Sequence, residues 1–116
     1  MSYRFKGFSR SAAKMLNLAL SLAGQRGQRQ VSTGHILLAI LTQGGSPAAN
    51  LLAARGVTSA KILGRVEQQP GDAACRLSPK NMMAESCKAL DFAVLGAHAA
   101  RMKEAQCEHV LCAILG

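Results

Sequence analysis

Between Arg10 and Ala23 the polar residues Arg10, Lys14, Asn17 and Ser21 recur at i, i+4, i+7 and i+11, while Met15, Leu16, Leu18, Ala19, Leu20, Leu22 and Ala23 fill the remaining positions. That period is helical and the apolar share is large, so the segment predicts a helix buried on most sides with one wet edge. Ser9 stands where an N-cap is needed, and Gly24 and Gly27 end the helix near Gln25. Thr33 is the expected cap of a short helix over 34–42, which Gly44 and Gly45 stop. Ser46-Pro47 reads as a helix start with proline at the first helical position, and PAANLLAAR follows until Gly56. Thr58 caps a fourth helix from Ser59 to about Gln68, with Ile62, Leu63 and Val66 on one face. Residues 69–76, QPGDAACR, lack an apolar period and read as a linker. Ser78-Pro79 predicts the opening of a long helix to about Met102, and a last helix runs from Cys107 to the end. No segment alternates in strand fashion, so the fold class is all-α with short connections.

The pattern repeats itself. Residues 32–41 read STGHILLAIL and residues 106–115 read QCEHVLCAIL. A shift of 74 positions needs no gap from Phe8 to Leu41: Lys14 meets Lys88, Leu16 meets Leu90, Ala19 meets Ala93, His35 meets His109 and Ile40 meets Ile114. The matches fall mostly on core-type positions. Two copies of one helical unit predict a pseudo-two-fold domain, since neither copy alone buries its apolar faces. We therefore read 1–116 as a single domain, with repeat one over 8–68, a linker over 69–76 and a partial repeat two over 77–116. Nothing in the second copy answers residues 46–68, so that repeat reads as truncated: either the sequence is a fragment, or the second copy is genuinely shortened.

Composition narrows the function. A chain of 116 residues with 49% apolar residues is large enough to bury a real core and too apolar for disorder. The longest apolar run, Ile36 to Leu41, is far too short to cross a bilayer, and no apolar segment directly follows the basic start MSYRFKGF. A cytoplasmic protein without membrane partners is expected. Cys75, Cys87, Cys107 and Cys112 include no CxxC pair, which favours free thiols. Cys107, His109 and Cys112 lack the fourth ligand of a tetrahedral metal site. Neither a catalytic constellation nor a GxxxxGK[ST] phosphate loop is present, so no enzyme activity and no cofactor are expected. His35 and His109, near the starts of short buried helices, are expected to hydrogen-bond inside the domain and pin the turn. Charge is uneven. Residues 1–66 hold nine Lys/Arg and no Asp or Glu, whereas residues 67–116 hold five basic and six acidic residues. A half at +9 attracts anionic partners through its long-range field, although singly spaced charges on a solvated surface account for it equally.

The residues FSRSAAKMLNLAL (8–20), STGHILLAIL (32–41), AANLLAARGV (48–57) and EHVLCAILG (108–116) resemble the Clp N-terminal repeat. The family pattern opens a helix with F-[ST]-x-x-[AS] and reaches the His of a G-T-E-H-[IL]-L-L-[GA]-[IL] segment about 27 residues later. The resemblance is to the N domains of ClpC-, ClpA- and ClpB-type Hsp100 AAA+ unfoldases. It implies a mobile all-α module ahead of ATPase rings, which takes in substrates and adaptor proteins and is not itself an ATPase. In ClpC-type domains the Glu of G-T-E-H engages the guanidinium of phosphoarginine, a chemistry suited to a carboxylate fork and to the free N–H groups of a helix start. Carried over, Glu108 retains that carboxylate, Gly34 lacks it, Thr33 keeps the hydroxyl and Cys107 replaces it. Phosphoarginine binding is thus expected on one side, through Glu108 with Cys107, and Thr33 marks the altered first site. Helix capping by Glu108 is the structural alternative.

Three functions follow as expectations. The first is the substrate- and adaptor-binding domain of a Clp/Hsp100 unfoldase, with a partner surface at Tyr3, Phe5, Lys6 and Phe8, where Phe5 stays exposed, and in the groove between copies. The second is a free-standing Clp accessory protein without an ATPase. The third, a basic nucleic-acid-binding helical module, rests on the +9 half alone and has no recognition-helix pattern behind it.

Overall fold

The computed structural model describes residues 3, 5–25, 30–44, 46–66 and 79–115. Among them are α1 (Arg10–Gln25), α2 (Thr33–Gln43), α3 (Pro47–Ala54), α4 (Ser59–Val66), a single 3-10 turn (Pro79–Asn81), α5 (Ala84–Ala99) and α6 (Cys107–Leu115), with no strand beyond two isolated bridges. The fold is all-α, and no single described helix is long and apolar enough to cross a membrane.

Local chemistry sets most boundaries. Ser9 Oγ accepts from Ala12 N–H at 3.1 Å and opens α1. Ser46 Oγ accepts from Ala49 N–H at 3.2 Å, with Pro47 behind it, and opens α3. Thr58 Oγ1 accepts from Lys61 N–H at 3.4 Å and opens α4. α3 ends in a Schellman motif: Gly56, at φ +75°, donates to Ala53 O, and Val57 donates to Leu52 O. The wet edge of α1 is as the pattern predicts, since Arg10, Lys14 and Ser21 are exposed while Met15, Leu16, Ala19 and Leu20 are buried.

Three expectations need correction. Ser32, not Thr33, caps α2: its side chain accepts from His35 N–H, and Thr33 is the first helical residue. Pro79 opens one 3-10 turn rather than the long helix, because Met82 pairs with Val31 and Met83 N–H donates to Val31 O at 2.9 Å, holding the chain extended until Ala84. That helix ends at Ala99, not Met102. Arg101 takes φ +62° and donates to His98 O, and Met102 donates to Ala97 O, a Schellman stop with arginine in the glycine place. The linker 69–76, Ser78, Cys75, Gln68, Gly27, Gly45 and the side chains of Leu63 and Val66 lie outside the described residues.

The duplication is visible bond by bond. Shifting α1 by 74 gives 84–99, the span of α5. The bridge Phe8↔Ala105 maps onto Met82↔Val31 when each residue is exchanged for its counterpart. Ser9 N–H donates to Ala105 O at 2.9 Å where Met83 N–H donates to Val31 O at 2.9 Å, and Ala105 N–H donates to Gly7 O at 2.7 Å where Val31 N–H donates to Asn81 O at 2.8 Å. Each half thus ties the start of its first helix to the approach of the other half's second helix, which is the pseudo-two-fold relation the repeat predicts. Between the halves, one continuous core gathers Phe8, Met15, Leu16, Val31, Ile36, Ile40 and Leu52 with Met82, Ala93, Val110 and Leu111. Fully burying side chains of this size contributes about 1.5–3 kcal/mol each.

Candidate functional site

The bridges bring helix N-termini together at two pseudo-equivalent places. At the second, α6 begins with Cys107, Glu108 and His109, directly after the bridge that leads into α1. The Cys107 thiol is buried, bonded to the Ser11 side chain, and lies 3.9 Å from Gln43 Oε1. Gln43 Nε2 in turn donates to Ser11 O at 3.2 Å. The start of α1, the end of α2 and the start of α6 therefore meet around Cys107, with Glu108 half-buried beside it. Burial first, and then the Glu108 charge, pushes the Cys107 thiol above its ordinary value, so this cysteine is a neutral packing group with a weak donor. Glu108 lies in the first turn of α6, where a carboxylate is favoured by the helix dipole.

At the first place the parts differ. Thr33 and Gly34 open α2, both half-buried, and Gly34 brings no side chain. The 74-residue shift puts Glu85, exposed in the first turn of α5, where the second place has Ser11.

Both histidines are internal pins. Ser32 N–H donates to His35 Nδ1 at 2.9 Å, and Gln106 N–H donates to His109 Nδ1 at 2.9 Å. An accepting Nδ1 puts the ring proton on Nε2 in each. The His at N3 thus plays the part that Glu or Gln plays in a capping box.

The N-terminal segment is held more closely than its composition predicts. Tyr3 N–H donates to Asn17 Oδ1 at 2.6 Å, and Asn17 Nδ2 donates to Tyr3 O and to Ala13 O, each at 2.8 Å. Phe5 is half-buried rather than exposed, packs on the core, and meets Phe8 edge to face at 6.5 Å. Phe8 is buried in the core itself, so of the four residues expected on a partner surface only Lys6 is fully exposed, while Tyr3 presents part of its side chain. The clamp by Asn17 was missed because its place on the polar stripe of α1 reads simply as solvated.

Residues 7–116 match the family described as the Clp repeat (R) N-terminal domain. No curated protein matches the chain by sequence. Among solved structures, the fold is similar to the N-terminal domain (1–163) of the ClpV1 ATPase from the E. coli EAEC Sci1 T6SS, with a TM-score of 0.78 and 21% identity over 94% of this chain and 68% of that one. It is equally similar to a structure described as "Peptide from EAEC T6SS Sci1 SciI protein", with a TM-score of 0.78 and 22% identity over 94% of this chain and 70% of that one. The N-terminal domain of the caseinolytic protease associated chaperone ClpD from Arabidopsis thaliana follows at a TM-score of 0.71 and 16% identity, over 96% of this chain and 78% of that one. At such identities these likenesses establish the fold, and the family rests on the sequence match.

Proposed function

The chain belongs to the Clp repeat N-terminal domain family, and on that premise we propose that it takes in protein substrates and adaptor proteins for a Clp/Hsp100-type ATP-dependent unfoldase, without catalysing a reaction itself. The observation that carries this reading is the family match over nearly the whole chain. The similarity to a structure whose description names a SciI peptide is in keeping with a polypeptide ligand. The AAA+ modules it serves stand in the same chain or in a Clp complex, in the cytoplasm.

The finer reading concerns Glu108. Its carboxylate sits at the start of α6 beside Cys107, with Ser11 and Gln43 adjoining that thiol. A phosphoarginine side chain carries a guanidinium for the carboxylate and a phosphoryl group for helix-start N–H groups. Gly34 removes the equivalent carboxylate from α2, so Thr33 stands at a site that does not take the same ligand. The exposed cations Lys6, Arg10, Lys14, Arg55 and Lys61 favour acidic adaptor surfaces.

Calorimetric titration of the chain with a phosphoarginine peptide tests this. One site per chain is expected, lost in Glu108→Ala, and a Gly34→Glu variant gains a second. Equal binding by the wild type and Glu108→Ala would refute the assignment of Glu108. A native unfoldase that keeps its client and adaptor binding after the domain is excised would refute the wider function.

A further inference from the structure

The clamp on Tyr3 has the form of a recognition device and is not a requirement of the repeat. Asn17 Oδ1 accepts from Tyr3 N–H at 2.6 Å while Asn17 Nδ2 donates to Tyr3 O at 2.8 Å, so one side-chain amide holds both backbone groups of one residue. Asn17 Nδ2 also donates to Ala13 O, one turn back on α1, at 2.8 Å. That bond lies wholly within α1, so it orients the amide before any segment reaches it. A fork of this kind reads backbone and is blind to the side chain of the residue it holds. Repeat two does without it. At a shift of 74 the counterpart of Asn17 is exposed Asp91, a carboxyl in place of the amide, without the nitrogen donor. The counterpart of Phe5 is Pro79 and that of Phe8 is Met82. What both repeats keep is the bridge, which involves Gly7 and Phe8 in repeat one. The Tyr3 clamp and the edge-to-face pair of Phe5 and Phe8 are therefore additions of repeat one.

The course of this segment follows from its two anchors. Tyr3 is held at Asn17 and Ser9 caps α1, so Tyr3, Phe5 and Phe8 mark a path back along the first two turns of the helix. Tyr3 and Phe5 pack on the core there, both half-buried. Exposed Arg10 and Lys14 stand on the same stripe of α1 as Asn17, at i, i+4 and i+7, which makes them successive neighbours along it. Residues 3–7 read YRFKG, with two further cations and no carboxylate. Among the described residues none of Lys6, Arg10 and Lys14 forms an ion pair. The resident segment thus suits the site by backbone and by rings but not by charge, since like charges along one face disfavour each other.

We propose that this face of α1 is a polypeptide-binding site occupied in the resting chain by its own Tyr3 and Phe5, and that an extended acidic segment of a partner protein displaces them. The partner segment carries aromatic residues at its first and third positions and carboxylates at its second and fourth. Asn17 takes the backbone of the first residue, and the Phe8 ring receives the second aromatic edge to face. The period of two in an extended chain turns both rings toward the core and both carboxylates outward, where the field of Arg10 and Lys14 favours them. The inference rests on the substrate- and adaptor-receiving reading and names the form of its ligand. It is distinct from the Glu108 site, which takes a single charged side chain.

The probe is the end-blocked peptide SFEFEG, which is residues 2–7 with phenylalanine for Tyr3 and glutamate for Arg4 and Lys6. Tyr3 is the chain's one tyrosine and tryptophan is absent, so intrinsic fluorescence reports the resident segment alone. As the peptide saturates the unaltered chain, acrylamide quenching of Tyr3 rises toward that of free tyrosine amide, a readout that needs no substitution. Anisotropy of fluorescein-labelled peptide gives the affinity. A Tyr3→Pro/Phe5→Ser chain, which lacks the clamped N–H and the resident ring, binds the peptide about tenfold more tightly, because an intramolecular competitor is gone. Adding Asn17→Ala to that chain weakens binding about tenfold. A role of Asn17 confined to holding Tyr3 would instead leave binding to the emptied chain unchanged. The cationic peptide SFRFKG binds about tenfold more weakly at low salt, and the gap closes as salt rises. The proposal is overturned by absence of binding to the emptied chain, by equal binding after Asn17→Ala, by binding that leaves Tyr3 quenching unchanged, or by equal affinity for the two peptides. Any of these alongside intact phosphoarginine titration removes this inference and leaves the proposed function standing.

Discussion

Replacing His35 by alanine tests whether the repeated histidine is structural. His35 is 2% exposed and its Nδ1 accepts from Ser32 N–H at 2.9 Å, with Ser32 Oγ at the same distance. Alanine leaves a backbone N–H at the entrance to α2 without its partner, which costs about 1–3 kcal/mol. It also removes a buried ring from the core, adding about 1–2 kcal/mol of lost packing. A total of about 3 kcal/mol is expected, or a fall of about 10 °C in Tm for a domain of this size. His109→Ala breaks the equivalent bond from Gln106 N–H at a half-buried position, so about half that cost is expected. His35→Gln supplies the N3 side chain of an ordinary capping box and restores about 1 kcal/mol relative to alanine. Urea unfolding followed by circular dichroism, with m held common to all variants, measures each difference. An His35→Ala variant within about 0.5 kcal/mol of wild type, or a glutamine variant no better than alanine, would refute the pinning argument and return the histidines to consideration as ligands.

Three further outcomes follow from the geometry. Gly7→Ala lowers stability by about 1–3 kcal/mol in the same assay, because φ is +89° and the new Cβ would lie 3.3 Å from Val94 Cγ2; a neutral result would mean that the bridge to Ala105 is not held as described. Arg101→Gly, at φ +62°, stabilises by about 0.5 kcal/mol as a glycine relieves the left-handed strain of a Schellman stop, and a loss in thermal melting would argue that the arginine side chain carries another role. Cys107 binds its proton more tightly folded than unfolded, so the stability it contributes is complete below the ordinary thiol value of 9.0 and is lost as pH rises from there through the raised folded value. Cys107→Ser should flatten that alkaline decline, and Glu108→Gln, which removes the charge that helps raise the folded value, should make the decline smaller and end it at lower pH with its onset unchanged; an unchanged profile in both variants counts against the buried thiol.

The apolar pattern was enough to define α1, α3 and the helical start at Cys107, because caps and apolar period agree there and no long-range contact overrides them. It was also enough for the duplication, since core positions keep their residue type: Ala19 and Ala93, or Ile40 and Ile114, answer each other. The cap of α2 was misplaced by one residue because Ser32 and Thr33 both carry hydroxyls, and the deciding partner is the His35 backbone N–H. The start of α5 was lost to a tertiary cause, the pairing of Met82 with Val31 across the two repeats. Its end was lost because Arg101 stands where the first copy has Gly27, and an arginine in the left-handed region gives no local signal. Among candidate site residues, Glu108 and Cys107 do stand together at a helix start. Phe5, expected to stay exposed on a partner surface with Phe8, packs on the core that holds Phe8, while Asn17 clamps Tyr3 onto α1.

The proposed function is that this domain brings polypeptides to an ATP-driven unfoldase. The most direct measurement recovers the native protein from its own cells with an antibody against this domain and follows ATP-dependent unfolding of a captured client before and after the domain is removed. AAA+ ATPase activity is expected with the recovered protein, in the same chain or a bound one, and client unfolding is expected to fall when the domain is excised. Recovered material with no ATPase, or client unfolding that continues at the same rate without the domain, would contradict it.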